Sequence, residues 1–265
     1  MCCMAVKGNL HTIQDNHAIK EAVISFTVFP QIEEPLIYKD LLERDLSRYH
    51  KFEKVRLKEL KVSANINETT VESIKDVGFK MISFKEGKAS DVIQCLRQPP
   101  FGIFTFNTIN YKDWRSFKSD RLSDAKSIAN FQNRYSVKAF SLMYIDEFYF
   151  EDEKEYDPKV LFNLESRNLP KGIEDSDFVD FNFNLRRCRD DQRNYFENVS
   201  IKVFTEEKKK TIRITENLTF EVESMKFTDI LDSPYLNDSL DFCHNENKNT
   251  LKDILNSNVA KIINL

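Results

Sequence analysis

The residues best suited to chemistry lie near the end of the chain. Cys243, His244 and Glu246 place a thiol, an imidazole and a carboxylate within four positions. A thiol becomes a strong nucleophile when a histidine takes its proton and an acid orients that histidine. Adjacent residues of a helix point about 100° apart, however, which is poor geometry for a Cys–His pair. We therefore predict that His244 is structural and donates to a sheet carbonyl, and that Cys243 is a small buried residue; a catalytic role is the alternative.

A second group of residues matches a loose outline of metal-dependent nucleases. Asp76 is followed by Glu86 and, two positions later, by Lys88. In such enzymes the acids hold Mg²⁺ at a strand end and the lysine polarises water. Glu86 and Lys88 flank Gly87 in a sequence typical of a hairpin turn, where both side chains would be solvated. We therefore predict that no metal binds here.

Two acids lie inside an otherwise apolar segment. They are Asp146 and Glu147, and the acidic row continues with Glu151, Asp152 and Glu153. Carboxylate oxygens can gather a divalent cation, but an unpaired carboxylate in an apolar strand is costly. Because strand side chains alternate between faces, we expect at most one of the two acids to be buried. Arg186 or Arg187 on a neighbouring strand is the expected partner.

The cationic residues form two short clusters. They are Arg186, Arg187, Arg189 and Arg193 in the first cluster, and Lys208, Lys209 and Lys210 in the second. Aromatic residues nearby would allow a sheet with these cations to bind RNA or DNA by stacking and phosphate contacts. Asp190 and Asp191 interrupt the first cluster, however, and the lysines are expected at a hairpin tip. Nucleic acid is therefore the less favoured partner.

The composition excludes several classes of function. The 265 residues include 39 Lys and Arg against 43 Asp and Glu, a net charge of −4. A phosphate-binding surface normally shows a basic excess or stripe. With five glycines in all, the chain has no glycine-rich phosphate loop and no nucleophile elbow. The sequence therefore predicts no cofactor.

The cysteines and the apolar segments indicate the compartment. The five cysteines are scattered and form no C-x-x-C pair, which favours reduced thiols over a disulfide framework or a zinc site. The first residues lack a basic region followed by an apolar run, and no apolar run approaches the ~20 residues that span a bilayer. We expect a cytoplasmic protein that does not enter the membrane.

Local patterns predict the elements that position these residues. Alternating residues predict a strand over 18–30, and an apolar character on both faces predicts a central strand over 137–150. Further strands are predicted over 177–189, 198–207 and 211–227, and a run of strands over 77–110 with a turn at Glu86–Gly87. Helical spacing and N-terminal signals predict helices over 35–60 and 113–136, a short helix after 158 and a long helix from Ser233–Pro234. Residues 61–76 are expected to form an edge strand or a loop.

The order of these elements predicts the fold class. No strand–helix alternation of the doubly wound kind is present, so we expect an α+β fold with largely antiparallel sheets and helices packed on one face. The acidic segment 151–158 suggests a division into two structurally related or intimately packed halves. The expected segments are a tail over 1–17, an N-terminal half over 18–150, a linker with a short helix over 151–170 and a C-terminal half over 171–265.

Several motifs occur in an order that resembles a known family. They are "EAV" to "FP" over 21–30, Trp114-x-x-Phe117, "LMYIDEF" over 142–148, and a last helix with Leu240–Asp241, His244 and Glu246. This order resembles a sporadically distributed bacterial family without an assigned activity, whose members run about this length. Met143, Asp146 and Glu147 depart from the family's "LRYINRI", so no role tied to its Arg or Asn is transferred.

The resemblance implies a fold and supplies no catalytic residues. Families of this distribution often belong to mobile or anti-phage defence modules, which is what the resemblance implies for this chain. We favour a non-catalytic interaction protein that binds another protein through a sheet edge or a groove. The alternative is a metal-dependent enzyme acting on nucleic acid or a nucleotide. The sequence makes no prediction of oligomeric state.

Overall fold

The fold is dominated by sheet. The computed structural model of the protein describes residues 10–13, 17–32, 37–62, 69–131, 134–176, 178–188 and 194–265. Strands account for 50% of these residues and helices for 29%. The protein is therefore of the sheet-dominated α+β class, as the sequence predicts; the packing of helices on one face and the relation between two halves stay predictions.

The elements follow one another as long strands with few helices between them. The strands are β1 (Leu10–Thr12), β2 (Ile19–Phe29), β3 (Lys51–Val62), β4 (Thr69–Lys85), β5 (Lys88–Gln98), β6 (Phe101–Thr108), β7 (Ser136–Phe150), β8 (Val179–Cys188), β9 (Asn194–Glu206) and β10 (Lys209–Lys226). The helices are α1 (Ile37–Arg44), α2 (Trp114–Phe131), α3 (Pro158–Leu161), α4 (Phe227–Leu231), α5 (Pro234–Ile254) and α6 (Ser257–Ile262). Within the described residues, no helix is both long and apolar enough to cross a bilayer.

The chain forms two compact units, and neither is one continuous stretch. Unit 1 comprises Met1–Ala22, Ser141–Phe220 and Pro234–Leu265, and unit 2 comprises Val23–Phe140 and Glu221–Ser233. Strands β2, β7 and β10 each begin in one unit and end in the other. The sequence-based boundaries, at 150 and 171, follow chain order and differ from this grouping. Composition marks a surface segment such as 151–158, whereas strand pairing decides which distant segments share a core.

Unit 2 is built from consecutive antiparallel hairpins. Its strands follow the order β3-β4-β5-β6-β2. The β4–β5 turn consists of Glu86 and Gly87, with φ angles of 52° and 76°; two-residue hairpins need such left-handed conformations. A Cβ at Gly78 of β4 would lie 1.9 Å from the carbonyl oxygen of Cys95, so this close approach of two strands requires glycine. The predicted hairpin is confirmed.

The helix predicted over residues 35–60 is wrong in its second half. Helix α1 ends at Arg44, and residues Lys51–Val62 form β3. The apolar positions of KFEKVRLKELKV fit both a helical and a strand period, so the pattern alone is ambiguous. Pairing with β4 along the whole length of β3 selects the strand.

Helix α2 begins and packs as the sequence predicts. Asp113 caps its first turn, because its Oδ1 accepts the N–H of Ser116 at 2.9 Å. A carboxylate in this position satisfies a donor that the helix itself leaves free. Phe117 and Ile128 of α2 are buried, so the helix contributes one apolar face to the core of unit 2.

Unit 1 is an antiparallel meander with α5 against one of its faces. The strand order is β7-β10-β9-β8, and β1 pairs with β7. Alternate residues of β9 and β10 point into a core that also contains the end of α5. Its members include Val199, Ile201, Val203, Ile212, Ile214, Leu251 and Ile254. We call this the inner face of unit 1 and the opposite side its outer face.

Candidate functional site

Helix α5 directs Cys243 and His244 in different directions. Cys243 is fully buried, as predicted, and it lies in a stripe with Leu236, Leu240 and Asn247. His244 is half-buried beside this stripe, and its Nδ1 lies 2.9 Å from the hydroxyl oxygen of Tyr144 on β7. The Tyr144 hydroxyl of the sheet is therefore one partner of the His244 ring, and the predicted bond to a sheet carbonyl stays a prediction.

Asp146 is buried on the inner face of β7. Its residue is 1% exposed, and its Oδ2 has no hydrogen-bond partner in the described part of the chain. Burial raises the pKa of Asp146 to about 7, because removal from water disfavours the charged form of a carboxyl group. Asp146 can therefore gain or lose a proton near neutral pH.

Glu147 lies on the outer face of β7 and is also buried, at 7% exposure. Lys20 Nζ donates to its two carboxylate oxygens at 2.9 and 2.8 Å, and Arg213 donates through Nε and Nη2 at 2.9 and 2.8 Å. The prediction that at most one acid is buried is wrong, because long cationic side chains cover the outer face. Lys20 and Arg213 bind Glu147 in place of the predicted Arg186 or Arg187.

Glu216 on β10 is a buried acid that the sequence analysis missed. It is 1% exposed. Two side chains of α5, the Asn247 amide and the Thr250 hydroxyl, donate to its carboxyl oxygens, each at 2.8 Å. Burial raises the pKa of Glu216 to about 8; these two hydrogen bonds oppose the rise, and the charges of Glu197 and Asp146 add to it.

The sequence carried a signal for Glu216. In TIRITENLTF, Ile212, Ile214, Leu218 and Phe220 alternate with polar residues and are all buried. Glu216 occupies the middle position of this apolar set, as Asp146 does in its own strand. A single acid at an apolar position of an alternating strand therefore identifies both buried carboxyl groups, because strand side chains with a spacing of two share a face.

Glu197 adds a third acid to the inner face of unit 1. It lies on β9, is 4% exposed and pairs with the guanidinium of Arg187 on β8. Glu197 is opposite Leu218, and Glu216 is opposite Val199, so the two acids are diagonal neighbours on adjacent strands. We call Asp146, Glu197 and Glu216 the buried carboxyl layer.

Two members of the buried carboxyl layer, Asp146 and Glu216, can take up and release a proton near neutral pH. Among the described residues, neither Asp146 nor Glu216 lines the cavity beside the β4–β5 hairpin, the one between Arg44 and Asn130, or the one at β8 and β9, whereas Glu197 lines the last of these. Among the same residues, no group of three or more His, Cys, Asp and Glu side chains is arranged to hold a metal ion. Two hydrogen bonds, from Asn247 and Thr250 to Glu216, link α5 to the sheet.

Asp76 and Glu86, the two acids of the predicted nuclease pattern, do not lie close together. Asp76 lies within β4 and accepts from Lys54 at 2.7 Å and from Arg56 at 3.2 Å. Glu86 lies in the turn after β4, roughly 30 Å further along the extended strand. The two acids therefore cannot share one metal ion.

The lysines of the second cationic cluster are largely engaged within unit 1. Lys209 pairs with Glu151 at 3.0 Å. Lys210 is 7% exposed, and its Nζ lies 5.4 Å from the ring centroid of Tyr156. Lys208 is exposed in the β9–β10 turn, with a φ of 69°. The turn is where the sequence predicts a hairpin tip.

The first cationic cluster is divided between two faces. Arg187 points to the inner face, where it binds Glu197. Arg186 is exposed on the outer face, and its guanidinium lies 5.6 Å from the ring centroid of Phe196. Arg189 and Arg193 lie outside the described residues. The cations that can be placed therefore form no continuous basic stripe.

The end strand β8 forms an exposed surface of unit 1. Within the described residues, no strand pairs with the side of β8 that faces away from β9. Residues 184–188 are all exposed. Apolar side chains accompany them, since Phe178, Leu185 and Phe196 are 67%, 37% and 39% exposed. We call β8 with Phe178 and Phe196 the β8 edge surface.

Amide side chains stiffen the outer side of this surface. Asn198 of β9 donates to the side-chain oxygens of Asn182 and Asn184 on β8, at 2.8 and 2.7 Å. Cross-strand side-chain pairs of this kind stabilise the strand pairing beneath them. These bonds therefore help to hold β8 in an extended form against β9.

The chain was compared with protein-family models, curated proteins and solved structures. No family model, no curated protein and no solved structure matches it. The resemblance to the sporadically distributed bacterial family stays a prediction.

Proposed function

We propose that the protein is a non-catalytic interaction protein that binds an extended segment of another protein along β8. The observation that supports this proposal is the exposure of residues 184–188 at the end of a strand order. An end strand presents unpaired N–H and C=O groups on one side, and these can pair with an added strand. Strand addition supplies affinity from the main chain and specificity from alternate side chains.

The side chains of β8 describe the partner segment. On the inner face an added strand would lie beside Phe183 and Leu185, and on the outer face beside Asn184 and Arg186. Arg186 is exposed, so an acid fits opposite it, because exposed opposite charges on neighbouring strands attract. The partner segment is expected to alternate apolar residues with polar or acidic ones.

The other end strand supports this choice by contrast. Strand β3 ends the order of unit 2 and carries four lysines in its sequence, Lys51, Lys54, Lys58 and Lys61. Lysine on an edge strand is a common device against pairing with another chain. Strand β8 has no lysine. Of these two end strands, β8 is therefore the one that accepts a partner.

A protein segment fits this surface better than nucleic acid does. Arg187 and Lys209 are paired with Glu197 and Glu151, and Lys210 is buried. Phosphate binding draws on several cations that are free to release counterions. The β8 edge is apolar and amide-rich, and of its two exposed arginines Arg187 is paired with Glu197, so the edge lacks such a set among the residues that can be placed.

We propose that the protein acts in the cytoplasm. From the family resemblance, we propose that it belongs to a mobile or anti-phage defence module. The alternative is a metal-dependent enzyme acting on nucleic acid or a nucleotide. It draws on Asp146 and Glu216, since buried acids that titrate near neutrality cluster at active sites. Replacement Asp146→Asn separates the two hypotheses, because it would abolish an enzymatic activity and leave partner binding unchanged.

The proposal is tested by the same substitution on the two end strands. Leu185 on β8 and Leu57 on β3 are exposed leucines, at 37% and 52%. Leu185→Lys should weaken binding of the partner, identified by capture from the native host, by about tenfold or more, which corresponds to 1.4 kcal/mol. Leu57→Lys should bind as the wild type does. Equal binding by both variants and the wild type would refute the role of β8.

Amide hydrogen exchange tests the mode of binding. When the partner is bound, amides in 184–188 should exchange more slowly, because new main-chain hydrogen bonds protect them. Amides of β3 should not change. A complex that protects another surface and leaves 184–188 unchanged would show that the partner does not add a strand to β8.

A further inference from the structure

Unit 2 contains an open polar cavity that the proposed function does not use. Its volume is about 640 Å³, and it lies between the β4–β5 hairpin, the end of β6 and the first turns of α2. Ligand pockets for small molecules typically fall between about 300 and 1,000 Å³. The cavity is therefore large enough for a small metabolite.

A buried arginine forms part of the cavity wall. Arg121 of α2 lines the cavity and is 2% exposed. Its Nη1 donates to Asp91 Oδ1 and to the carbonyl oxygen of Asn107, both at 3.0 Å. Its Nε makes no hydrogen bond within the described residues, and the nearest carboxylate oxygen recorded for it, on Asp124, lies 3.6 Å away. The guanidinium is thus held rigidly in the cavity wall between Asp91 and Asp124.

Exposed cations surround the same cavity. Lys85, Lys112 and Arg115 line it and are all exposed. They come from two different parts of unit 2, the β4–β5 hairpin and the start of α2. Their charges therefore converge on one space, where an anion would interact with several of them at once.

The acids of the lining are largely engaged by internal donors. Asp91 is bound by Arg121 and accepts from the hydroxyls of Ser83 and Ser90 at 3.1 and 3.2 Å. Asp113 accepts from the N–H and the hydroxyl of Ser116 at 2.9 and 2.8 Å. The helix start is therefore already capped, and the cations, not the helix, supply the attraction for an anion. The third acid of the lining is Asp120.

We propose that this cavity binds a small phosphomonoester, with its phosphate between Arg115, Lys112 and Arg121. Phosphate suits the site because its oxygens accept from guanidinium and ammonium groups at once, in short charge-assisted hydrogen bonds. The hydroxyls of Ser90, Ser119 and Thr108 line the rest of the cavity and can bind the polar body of the ligand.

The proposal is tested by calorimetric titration of the full chain with ribose 5-phosphate and, as a matched neutral ligand, ribose. The phosphate ester should bind and ribose should not. Arg115→Glu should weaken the binding by about tenfold or more. The matched control is Arg134→Glu, an exposed arginine of unit 2 outside the cavity lining, which should bind within about twofold of the wild type.

Three results would overturn the proposal. The first is that the wild type binds neither ligand at millimolar concentration, and the second is that ribose binds as tightly as its phosphate. The third is that Arg115→Glu and Arg134→Glu bind with equal affinity: if both bind like the wild type, Arg115 is not part of a site, and if both are equally weakened, the effect is one of general charge. These outcomes do not depend on β8, so they are distinct from a failure of the proposed strand addition.

Discussion

Both units bury carboxyl groups beneath a helix, but they neutralise them differently. In unit 2, Asp124 of α2 accepts from the Tyr49 hydroxyl at 2.6 Å, pairs with Arg48, and lies 3.6 Å from Arg121 Nε. Burial raises the pKa of Asp124, and the two arginines and the tyrosine oppose that rise. In unit 1, Glu216 has only neutral donors and Asp146 Oδ2 has no hydrogen-bond partner among the described residues.

The comparison shows that burial alone does not decide how an acid behaves. A buried carboxylate with cations at hand can stay charged within an ion-pair network, because the attraction offsets lost hydration. A buried carboxyl group without a cation takes up a proton. Asp124 in unit 2 therefore depends on its arginines, whereas the protonation of Asp146 and Glu216 in unit 1 depends on the pH.

The largest effect is expected from breaking the network of unit 2. Asp124→Ala leaves Arg121 without its second acid and buries positive charge that is no longer balanced. We expect a loss of about 3–5 kcal/mol in the free energy of unfolding, measured by urea denaturation. Asp120→Ala on the exposed side of the same helix should change it by less than about 0.5 kcal/mol. Equal losses would show that α2 is sensitive to any lost acid.

The next effect is the response of the wild type to pH. Asp146 and Glu216 have folded-state pKa values of about 7 and about 8, above their usual values near 4. At pH values between the ordinary pKa and the raised pKa, the folded state holds more protons than the unfolded state. The free energy of unfolding therefore falls as the pH rises through this interval. Carboxyl groups with a lowered pKa, such as Glu53 and Asp113, change the stability only at pH values below this interval, because they are ionised in both states within it.

Urea denaturation at pH 5, 6, 7 and 8 measures this response. The free energy of unfolding should decrease by a few kcal/mol, in order of magnitude, from pH 5 to pH 8. A flat or rising curve over this interval would contradict the assignment of the two buried acids.

A smaller effect is expected when the buried acids of unit 1 are replaced by neutral isosteres. In the Asp146→Asn, Glu216→Gln double variant, no proton is released on unfolding at these positions. Most of the decrease in the free energy of unfolding between pH 5 and pH 8 should therefore disappear, a difference from the wild type of a few kcal/mol, in order of magnitude, over that interval. Glu223→Gln, at an exposed position, should keep the wild-type slope. The change in the free energy of unfolding with pH tests the assignment even if the double variant is less stable at every pH, because a uniform loss of stability does not alter that change.

The smallest effect concerns the contact between Tyr144 and His244. Tyr144→Phe removes the hydroxyl group that lies 2.9 Å from His244 Nδ1 and keeps the buried ring. We expect a loss of about 1 kcal/mol in thermal or urea denaturation, the usual net contribution of one hydrogen bond. Tyr149→Phe, at a half-buried position of the same strand, serves as the control and should cost less. A loss of function without a loss of stability would instead favour a catalytic role for His244.

Much of the local structure could be predicted because its causes are local. Gly87 at a left-handed turn position, Asp113 at a helix start and the alternation of β7 each act within a few residues. The exception was β3, where the same apolar spacing fits a helix, and its pairing with β4 decided the outcome. The site was less predictable: Asp146 was singled out from its position in an apolar strand, but its burial together with Glu147 was not foreseen.

By itself, the sequence determined most of the strands, the turns and the positions at which an acid replaces an apolar residue, because these depend on neighbours along the chain. Only the tertiary structure decided the partners of those acids. Asn247 reaches Glu216, and Lys20 reaches Glu147, across 31 and 127 positions of sequence. Such contacts depend on which strands and helices come together, and hydrophobic burial, which has no direction of its own, selects that arrangement for the chain as a whole.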